Sequence, residues 1–168
     1  MKSSFKRINK VFIIAEAGVN HNGSLKKAMK LVDIAVKANV DAIKFQTFLP
    51  GEISGKYSIN IGYLKKNKIK RHLLSKKLAL SFDDFIKLKK YCDKKKILFL
   101  STPDGEKSLS FLIHDIKVPI IKIGSSEVTN HEFLKLIARS KLPIIFSTGM
   151  STLQEVQKAY KILKKNSS

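Results

Sequence analysis

Two lysines lie inside apolar stretches of the sequence, and they indicate where chemistry could take place. Lys44 stands in the run Ile43-Lys44-Phe45-Gln46, and Lys122 stands in Ile121-Lys122-Ile123. Both runs are typical of buried β-strands, where an isolated ammonium group is costly. Two such lysines predict that a buried anion lies between them. The alternative is that each lysine lies at a sheet edge or extends from the strand end into water.

Hydroxyl groups and a glycine follow the same kind of apolar run. Thr102 follows one run, and Gly124-Ser125-Ser126 follows the run that contains Lys122. Hydroxyls and accessible backbone N–H groups beside lysines are donors to phosphate and carboxylate groups. Gln46 lies two residues after Lys44, so the two side chains share one face of a strand. The sequence therefore predicts a phosphate or carboxylate site.

Two carboxylates are predicted to belong to the same site. Glu16 ends an apolar run, and Glu127 follows the serines. Such carboxylates could position a water molecule or act as acid and base. Alternatively, they pair with the two lysines as structural salt bridges. No metal ligand is predicted, because no His-x-His or His-x3-His spacing relates the four histidines, His21, His72, His114 and His131.

These candidate residues share a position relative to the predicted secondary structure. Strand–helix alternation predicts βαβ units and a parallel sheet, whose strand carboxyl ends meet at one rim where sites are built. The five predicted strands are Val11–Ala15, Ala42–Thr47, Ile97–Ser101, Ile120–Gly124 and Ile144–Ser147.

Capping residues predict where the helices begin. The predicted first caps are Ser24, Ser81, Asn130, Thr152 and either Asp104 or Gly105. All four prolines, including Pro50, are predicted to lie outside helices. The segment Phe48–Ala79, between the second and third strands, has no clean period and is interpreted as an insertion with a functional role.

Composition limits the function classes. The chain has 168 residues and a formal charge of +20, but only three of its 33 basic residues are arginine. We interpret the charge as solvated surface and expect no nucleic acid partner, because arginine is the preferred reader of phosphate and guanine. No apolar run is long enough for a membrane span, and the five apolar residues Val11–Ala15 are too few for a signal peptide. With one cysteine, the expected location is the cytoplasm.

Five motifs in order resemble the N-acetylneuraminate synthase family, which includes the sialic, legionaminic and pseudaminic acid synthases. The resemblance extends from about Phe12 to the end of the chain. The motifs are Ala15-Glu16-Ala17-Gly18-Val19-Asn20-His21-Asn22-Gly23, Lys44-Phe45-Gln46-Thr47, Ser101-Thr102-Pro103, Lys122-Ile123-Gly124-Ser125-Ser126-Glu127 and Ser147-Thr148-Gly149-Met150.

The resemblance implies a parallel (β/α) barrel of TIM type and a condensation reaction. Phosphoenolpyruvate and water would react with an N-acetylated amino sugar, either N-acetylmannosamine or a 2,4-diacetamido-trideoxy hexose. The products would be a 2-keto-3-deoxy sugar acid and phosphate, for cell-surface polysaccharide. The implied substrate-binding residues are Lys44, Thr102, Lys122 and Ser125 for phosphoenolpyruvate and Gln46 for the sugar. The implied catalytic carboxylates are Glu16 and Glu127.

The resemblance also implies features that these residues do not supply. Residues 1–168 are interpreted as the N-terminal part of the barrel, with about five of eight βα units and without the family's C-terminal antifreeze-like domain. The family uses Mn²⁺ or Mg²⁺, whose ligands match no residue here, and full-length members are homodimers. The loop Tyr63-Leu64-Lys65-Lys66-Asn67 departs from the family pattern. The alternative fold is a five-stranded doubly wound domain that binds a phosphorylated small molecule without this chemistry.

Overall fold

Strands and helices alternate along the chain in a computed structural model that describes residues 11–53 and 70–166. The strands are β1 (Ile14–Gly18), β2 (Ala42–Thr47), β3 (Leu98–Pro103), β4 (Ile121–Ile123) and β5 (Ile144–Phe146). The helices are α1 (Leu25–Lys37), α2 (Pro50–Ile53), α3 (Arg71–Leu78), α4 (Phe82–Lys94), α5 (Glu106–His114), α6 (His131–Arg139) and α7 (Leu153–Asn166). A 3₁₀ turn spans Ser125–Glu127.

The predicted helix caps are confirmed by side-chain hydrogen bonds. Ser24 and Ser81 each accept a bond from a backbone N–H in the first turn of α1 and α4. Asn130 accepts in the same way at α6. Thr152 and Glu155 bond each other's backbone N–H groups, which is the capping box predicted for α7. These starts follow from local sequence, because each cap satisfies donors that the helix leaves unpaired.

The strand pairing confirms a parallel α/β fold. Strands β1, β2 and β3 form one hydrogen-bonded sheet in that order, and β4 pairs with β5. All three pairings are parallel, and β3 lies beside β4. Spatial order therefore follows chain order through the described strands. A doubly wound sheet requires a reversal of that order, which these strands do not contain.

The two faces of the strands have different coverings. Ile43, Phe45 and Ile121 belong to the main core, where they pack with the buried faces of the helices. The opposite face carries a small apolar cluster built on Ala42 and Leu100 near the amino ends of the strands. Because side chains alternate along a strand, the residues that follow on this second face are polar. This alternation leaves the second face open for a site near the strand carboxyl ends.

The predicted start of the first strand was wrong. β1 begins at Ile14 rather than at Val11 and continues through Glu16 to Gly18. Val11 is 81% exposed and Ile13 is 50% exposed, whereas Phe12 is partly buried against the small apolar cluster without being part of the strand. Strands β4 and β5 are also shorter than predicted, three residues each.

The insertion contains helices that its sequence pattern did not predict. Residues Pro50–Ile53 form α2 and Arg71–Leu78 form α3. The prediction that every proline lies outside a helix was wrong for Pro50, which takes the first position of α2, where a proline's missing N–H has no helical partner to lose. The loop Tyr63-Leu64-Lys65-Lys66-Asn67 lies outside the described residues.

Candidate active site

Six of the seven predicted site residues line one cavity. This cavity, which we call the lysine cavity, has a volume of about 600 Å³ and opens at the carboxyl ends of the strands. Its lining also includes Gly124 and Ser147. The predicted residues that it brings together are Glu16, Lys44, Gln46, Thr102, Lys122 and Ser125.

Lys44 is buried at the centre of this arrangement, with 8% of its surface exposed. Parallel pairing sets Glu16 of β1 directly opposite Lys44 of β2, and Lys44 Nζ lies 2.6 Å from Glu16 Oε2. Lys44 Nζ also donates to Thr102 Oγ1 of β3 at 3.3 Å. Of the alternatives left open by the sequence, the lysine therefore adopts the salt bridge, while Glu16 stays accessible at its other side.

Lys122 reaches the same cavity from β4. Its Nζ donates to Ser147 Oγ at 2.6 Å and to the carbonyl oxygen of Ile123 at 2.7 Å. Burial lowers the pKa of Lys122, the charge of Lys44 lowers it further, and Glu16 acts in the opposite direction. A bound anion between the two lysines would offset both unfavourable effects.

Ser147 was not among the predicted site residues. It follows β5 in the motif Ser147-Thr148-Gly149, which contributed to the family resemblance. The sequence signal was its place at the carboxyl end of a predicted strand, close to which Thr102 and Ser125 also lie in their own segments.

A second cavity adjoins the first and contains the seventh predicted residue, Glu127. It has a volume of about 470 Å³, and we call it the acidic cavity. Glu127 accepts hydrogen bonds from Asn130 Nδ2 at 2.7 Å and from Ser126 Oγ at 3.3 Å. The lining of the acidic cavity includes Gln46, Glu52, Asp104, Glu106, Ser126, Glu127, Asn130 and Glu132.

Asp104 lines both cavities, and sequence reasoning missed its role. Its backbone N–H donates to the carbonyl oxygen of Thr47 at 3.0 Å, which fixes the residue just beyond β3. Burial raises the pKa of the Asp104 carboxyl to about 6, the Glu127 charge raises it too, and Lys44 opposes them. From the sequence, Asp104 was predicted only as one of two possible helix caps, and Gly105 is the cap of α5.

Glu52 joins the insertion to the start of α5. Its Oε1 accepts from the backbone N–H of Lys107 at 3.0 Å, and its Oε2 accepts from Ser108 Oγ at 3.3 Å. Gly105 has φ +139°, and a Cβ there would lie 2.8 Å from Glu52 Oε2. The glycine therefore lets the Glu52 carboxylate approach and cap the helix.

His21 lies in the turn that follows β1. The backbone N–H of Gly23 donates to His21 Nδ1 at 3.1 Å, and burial lowers the pKa of the imidazole. Within residues 11–53 and 70–166, no group of three His, Cys, Asp or Glu side chains could hold a metal ion. The described residues therefore do not supply the ligand set for the divalent metal that the resemblance implies.

None of the helices in the described ranges is both long enough and apolar enough to cross a membrane.

Comparisons with known proteins show the family of this chain. A sequence model of the NeuB family matches residues 31–168. The chain belongs to the NeuB family. It is 42% identical over 156 residues to the N,N'-diacetyllegionaminic acid synthase of Legionella pneumophila, covering 91% of this chain and 44% of that protein.

Two further relatives extend the comparison. The N-acetylneuraminate-9-phosphate synthase of Drosophila melanogaster is 32% identical over 170 residues, which cover 97% of this chain and 44% of that protein. The crystal structure of N-acetylneuraminic acid synthetase from Leptospira borgpetersenii with citrate superposes with a TM-score of 0.82 and 37% identity. It covers 95% of this NeuB family chain and 52% of that one. The chain thus spans about half the length of the relatives it matches.

Proposed function

We propose that the lysine cavity binds phosphoenolpyruvate and that the chain forms part of a nonulosonic acid synthase. The observation that carries the proposal is the convergence of Lys44 and Lys122 in one cavity. Thr102 and Ser147 hydroxyls contact these lysines, and Glu16 lies beside them. Two cations among hydroxyl donors fit a small ligand with a phosphate and a carboxylate.

The proposed reaction condenses phosphoenolpyruvate with the open-chain aldehyde of an N-acetylated amino sugar. A bond forms between carbon 3 of phosphoenolpyruvate and the aldehyde carbon, whose oxygen takes up a proton. Water adds to carbon 2 and loses a proton. The hydroxyl on carbon 2 then loses its proton and becomes the keto group as the carbon–oxygen bond to phosphate breaks, giving a 2-keto-3-deoxy sugar acid and inorganic phosphate.

Each proposed role follows from the position of a side chain. Lys44, Thr102, Lys122 and Ser125 would hold the anionic groups of phosphoenolpyruvate. Gln46, which lines both cavities, would contact the sugar.

Two carboxylates would accept and donate the protons of the reaction. Glu16 would accept the proton of the attacking water, since it lies against Lys44 and keeps an exposed side. Glu127 in the adjoining cavity would supply the proton that the aldehyde oxygen takes up. The family's divalent metal has no ligand set among the described residues, so no role of this chain is assigned through it.

The proposal includes the architecture of the whole enzyme. Consecutive parallel strands with helices on one face support a TIM-type barrel, of which residues 1–168 would be the N-terminal five βα units. The remaining βα units and the antifreeze-like domain would be supplied outside these residues. A homodimer and a role in cell-surface polysaccharide synthesis are proposed on the resemblance alone, and a cytoplasmic location is proposed on the single cysteine.

Calorimetric titration with phosphoenolpyruvate tests the proposal at its first step. We expect the 168-residue chain to bind phosphoenolpyruvate and the Lys44→Ala variant to bind it about 100-fold more weakly, because a charged hydrogen-bond donor is lost. Lys158→Ala removes an exposed lysine of α7 and is the matched control. Equal binding by the wild type, the site variant and the control would contradict the proposal.

Turnover is tested separately by phosphate release. The chain is incubated with phosphoenolpyruvate, Mn²⁺ and either N-acetylmannosamine or a 2,4-diacetamido-trideoxy hexose. Sugar-dependent release that Lys44→Ala abolishes would support the full reaction and identify the sugar. Binding without release would restrict the proposal to the phosphoenolpyruvate half of the site.

A further inference from the structure

Two cavities of opposite character meet at the carboxyl ends of the strands. The lysine cavity and the acidic cavity share three lining residues, Gln46, Asp104 and Ser126. The two cavities are therefore contiguous. On the proposed function, the lysine cavity takes phosphoenolpyruvate and the acidic cavity takes the sugar.

The charged side chains among the described lining residues of the acidic cavity are all carboxylates. The cavity contains five carboxylate residues, and no lysine or arginine is among its described lining residues. The five are Glu52, Asp104, Glu106, Glu127 and Glu132. The other polar side chains are those of Gln46, Ser126 and Asn130, which are uncharged. This lining offers hydrogen-bond acceptors to hydroxyl and amide N–H groups, and it opposes a further negative charge.

Asp104 differs from Glu52 and Glu127 in having a carboxyl group that is open to a ligand. Both oxygens of Glu52 accept bonds at the start of α5, and both oxygens of Glu127 accept bonds from neighbouring side chains. Within the described part of the chain, no group donates a hydrogen bond to the Asp104 carboxyl. Asp104 also lies where the two cavities join.

Resting on the proposed function, we propose that Asp104 is a specificity-determining residue of the acidic cavity, which accepts a hydrogen bond from an uncharged acceptor sugar and disfavours an acceptor that carries a phosphate. Phosphoenolpyruvate contributes three carbons, so carbon 9 of a nine-carbon product is carbon 6 of a six-carbon acceptor. A 9-phosphate product, as in the name of the Drosophila relative, requires a phosphate at that carbon. Here such a phosphate would face the carboxylates of the acidic cavity.

The relative affinities for a sugar and for its phosphate test this inference. The chain is first saturated with phosphoenolpyruvate, so that the lysine cavity is occupied. N-acetylmannosamine and N-acetylmannosamine 6-phosphate are then titrated separately. We expect the unphosphorylated sugar to bind at least tenfold more tightly, and Asp104→Asn or Asp104→Ser to reduce that preference several-fold. Asp115→Asn, at the end of α5, is the matched control and should leave the preference unchanged.

The outcomes separate this inference from the proposed function. Failure of phosphoenolpyruvate to bind the wild type would overturn the proposed function and the inference with it. Normal phosphoenolpyruvate binding with equal or tighter binding of the sugar phosphate would overturn only the inference. Normal phosphoenolpyruvate binding with neither sugar bound would also overturn it, because the acidic cavity would then not be the acceptor site. The preference of the wild type between the two sugars tests by itself whether the cavity disfavours a phosphate. A variant that fails to fold does not affect that result.

Discussion

Lys44 and Glu16, on neighbouring parallel strands, form a salt bridge in which Nζ lies 2.6 Å from Oε2. The lysine side chain is 10% exposed and the glutamate side chain is 59% exposed. The carboxylate thus stabilises a buried ammonium group from its solvent side. An incoming phosphate or carboxylate can approach the same ammonium group, so the pair is well placed to exchange a protein anion for a substrate anion.

The two members of this pair are expected to respond differently to mutation. Glu16→Gln removes a negative charge from the lysine cavity while its amide oxygen still accepts from Lys44. We expect phosphoenolpyruvate affinity to stay constant or rise by up to about tenfold, since repulsion is removed. If sugar-dependent phosphate release is obtained, its rate should fall, because the proposed proton acceptor is lost. Titration calorimetry and phosphate release measure the two quantities. Loss of affinity as large as that of Lys44→Ala would assign Glu16 to binding instead.

Lys122 is expected to make phosphoenolpyruvate binding dependent on pH. Its pKa is lowered by burial and by Lys44, so part of the Lys122 population loses its proton at alkaline pH. A bound anion favours the ammonium form and raises that pKa, so binding takes up protons and weakens as the pH rises. Calorimetry in buffers of different ionisation enthalpy, between about pH 8 and 10, measures the uptake.

Lys122→Met should bind more weakly and take up fewer protons over the same range. Lys161→Met, on the exposed side of α7, should match the wild type. Proton uptake that persists undiminished in Lys122→Met would show that another group titrates.

The lysine cavity could be predicted from sequence because its residues lie at or near strand carboxyl ends, which a parallel fold brings to one rim. Alternation along a strand sets Lys44 and Gln46 on one face, and that face lines the cavity. Helix caps could be predicted for the same reason, since Ser24 and Thr152 act within one turn.

The acidic cavity could not be predicted in this way. Asp104 gains its raised pKa from burial and from Glu127, which follows a different strand. Glu52 reaches α5 from an insertion whose sequence has no clean period. The start of β1 was misjudged because apolar residues before it, such as Val11, remain exposed. In each case the decisive contact or exposure depends on the tertiary fold.

Asp104 is expected to make stability depend on pH. The folded-state pKa is raised from 3.8 to about 6, so the folded protein retains a proton that the unfolded chain has released. Stability from this group is therefore present below about pH 4 and is lost as the pH rises to about 6, by about 3 kcal/mol.

The Asp104→Asn variant has no carboxyl group to titrate at this position, so it should not lose this stability as the pH rises. Its unfolding free energy relative to the wild type should increase between about pH 4 and 7 by the same amount. Urea unfolding at several pH values measures the difference. Asp115→Asn should run parallel to the wild type. Parallel curves for Asp104→Asn would mean that Asp104 titrates normally in the folded protein.

Gly124 is expected to be required for ligand binding rather than for folding. Its φ of −71° and ψ of 155° are open to any residue, so alanine fits the backbone. A Cβ at Gly124 would lie 3.4 Å from Ser126 Oγ and 3.7 Å from Thr102 Cγ2, which are ordinary contacts. The added methyl group would nevertheless occupy part of the lysine cavity.

Gly124→Ala should therefore keep or slightly raise the melting temperature, because it restricts the unfolded chain. Phosphoenolpyruvate affinity should fall by about tenfold, as expected when a ligand group is displaced from one hydrogen bond. Gly51→Ala in α2 is the matched control, since a Cβ there meets no atom within 4 Å. Thermal unfolding and calorimetry are measured on both variants. Unchanged affinity in Gly124→Ala would mean that the ligand does not approach this part of the cavity, and a lowered melting temperature would mean that the glycine is needed by the fold.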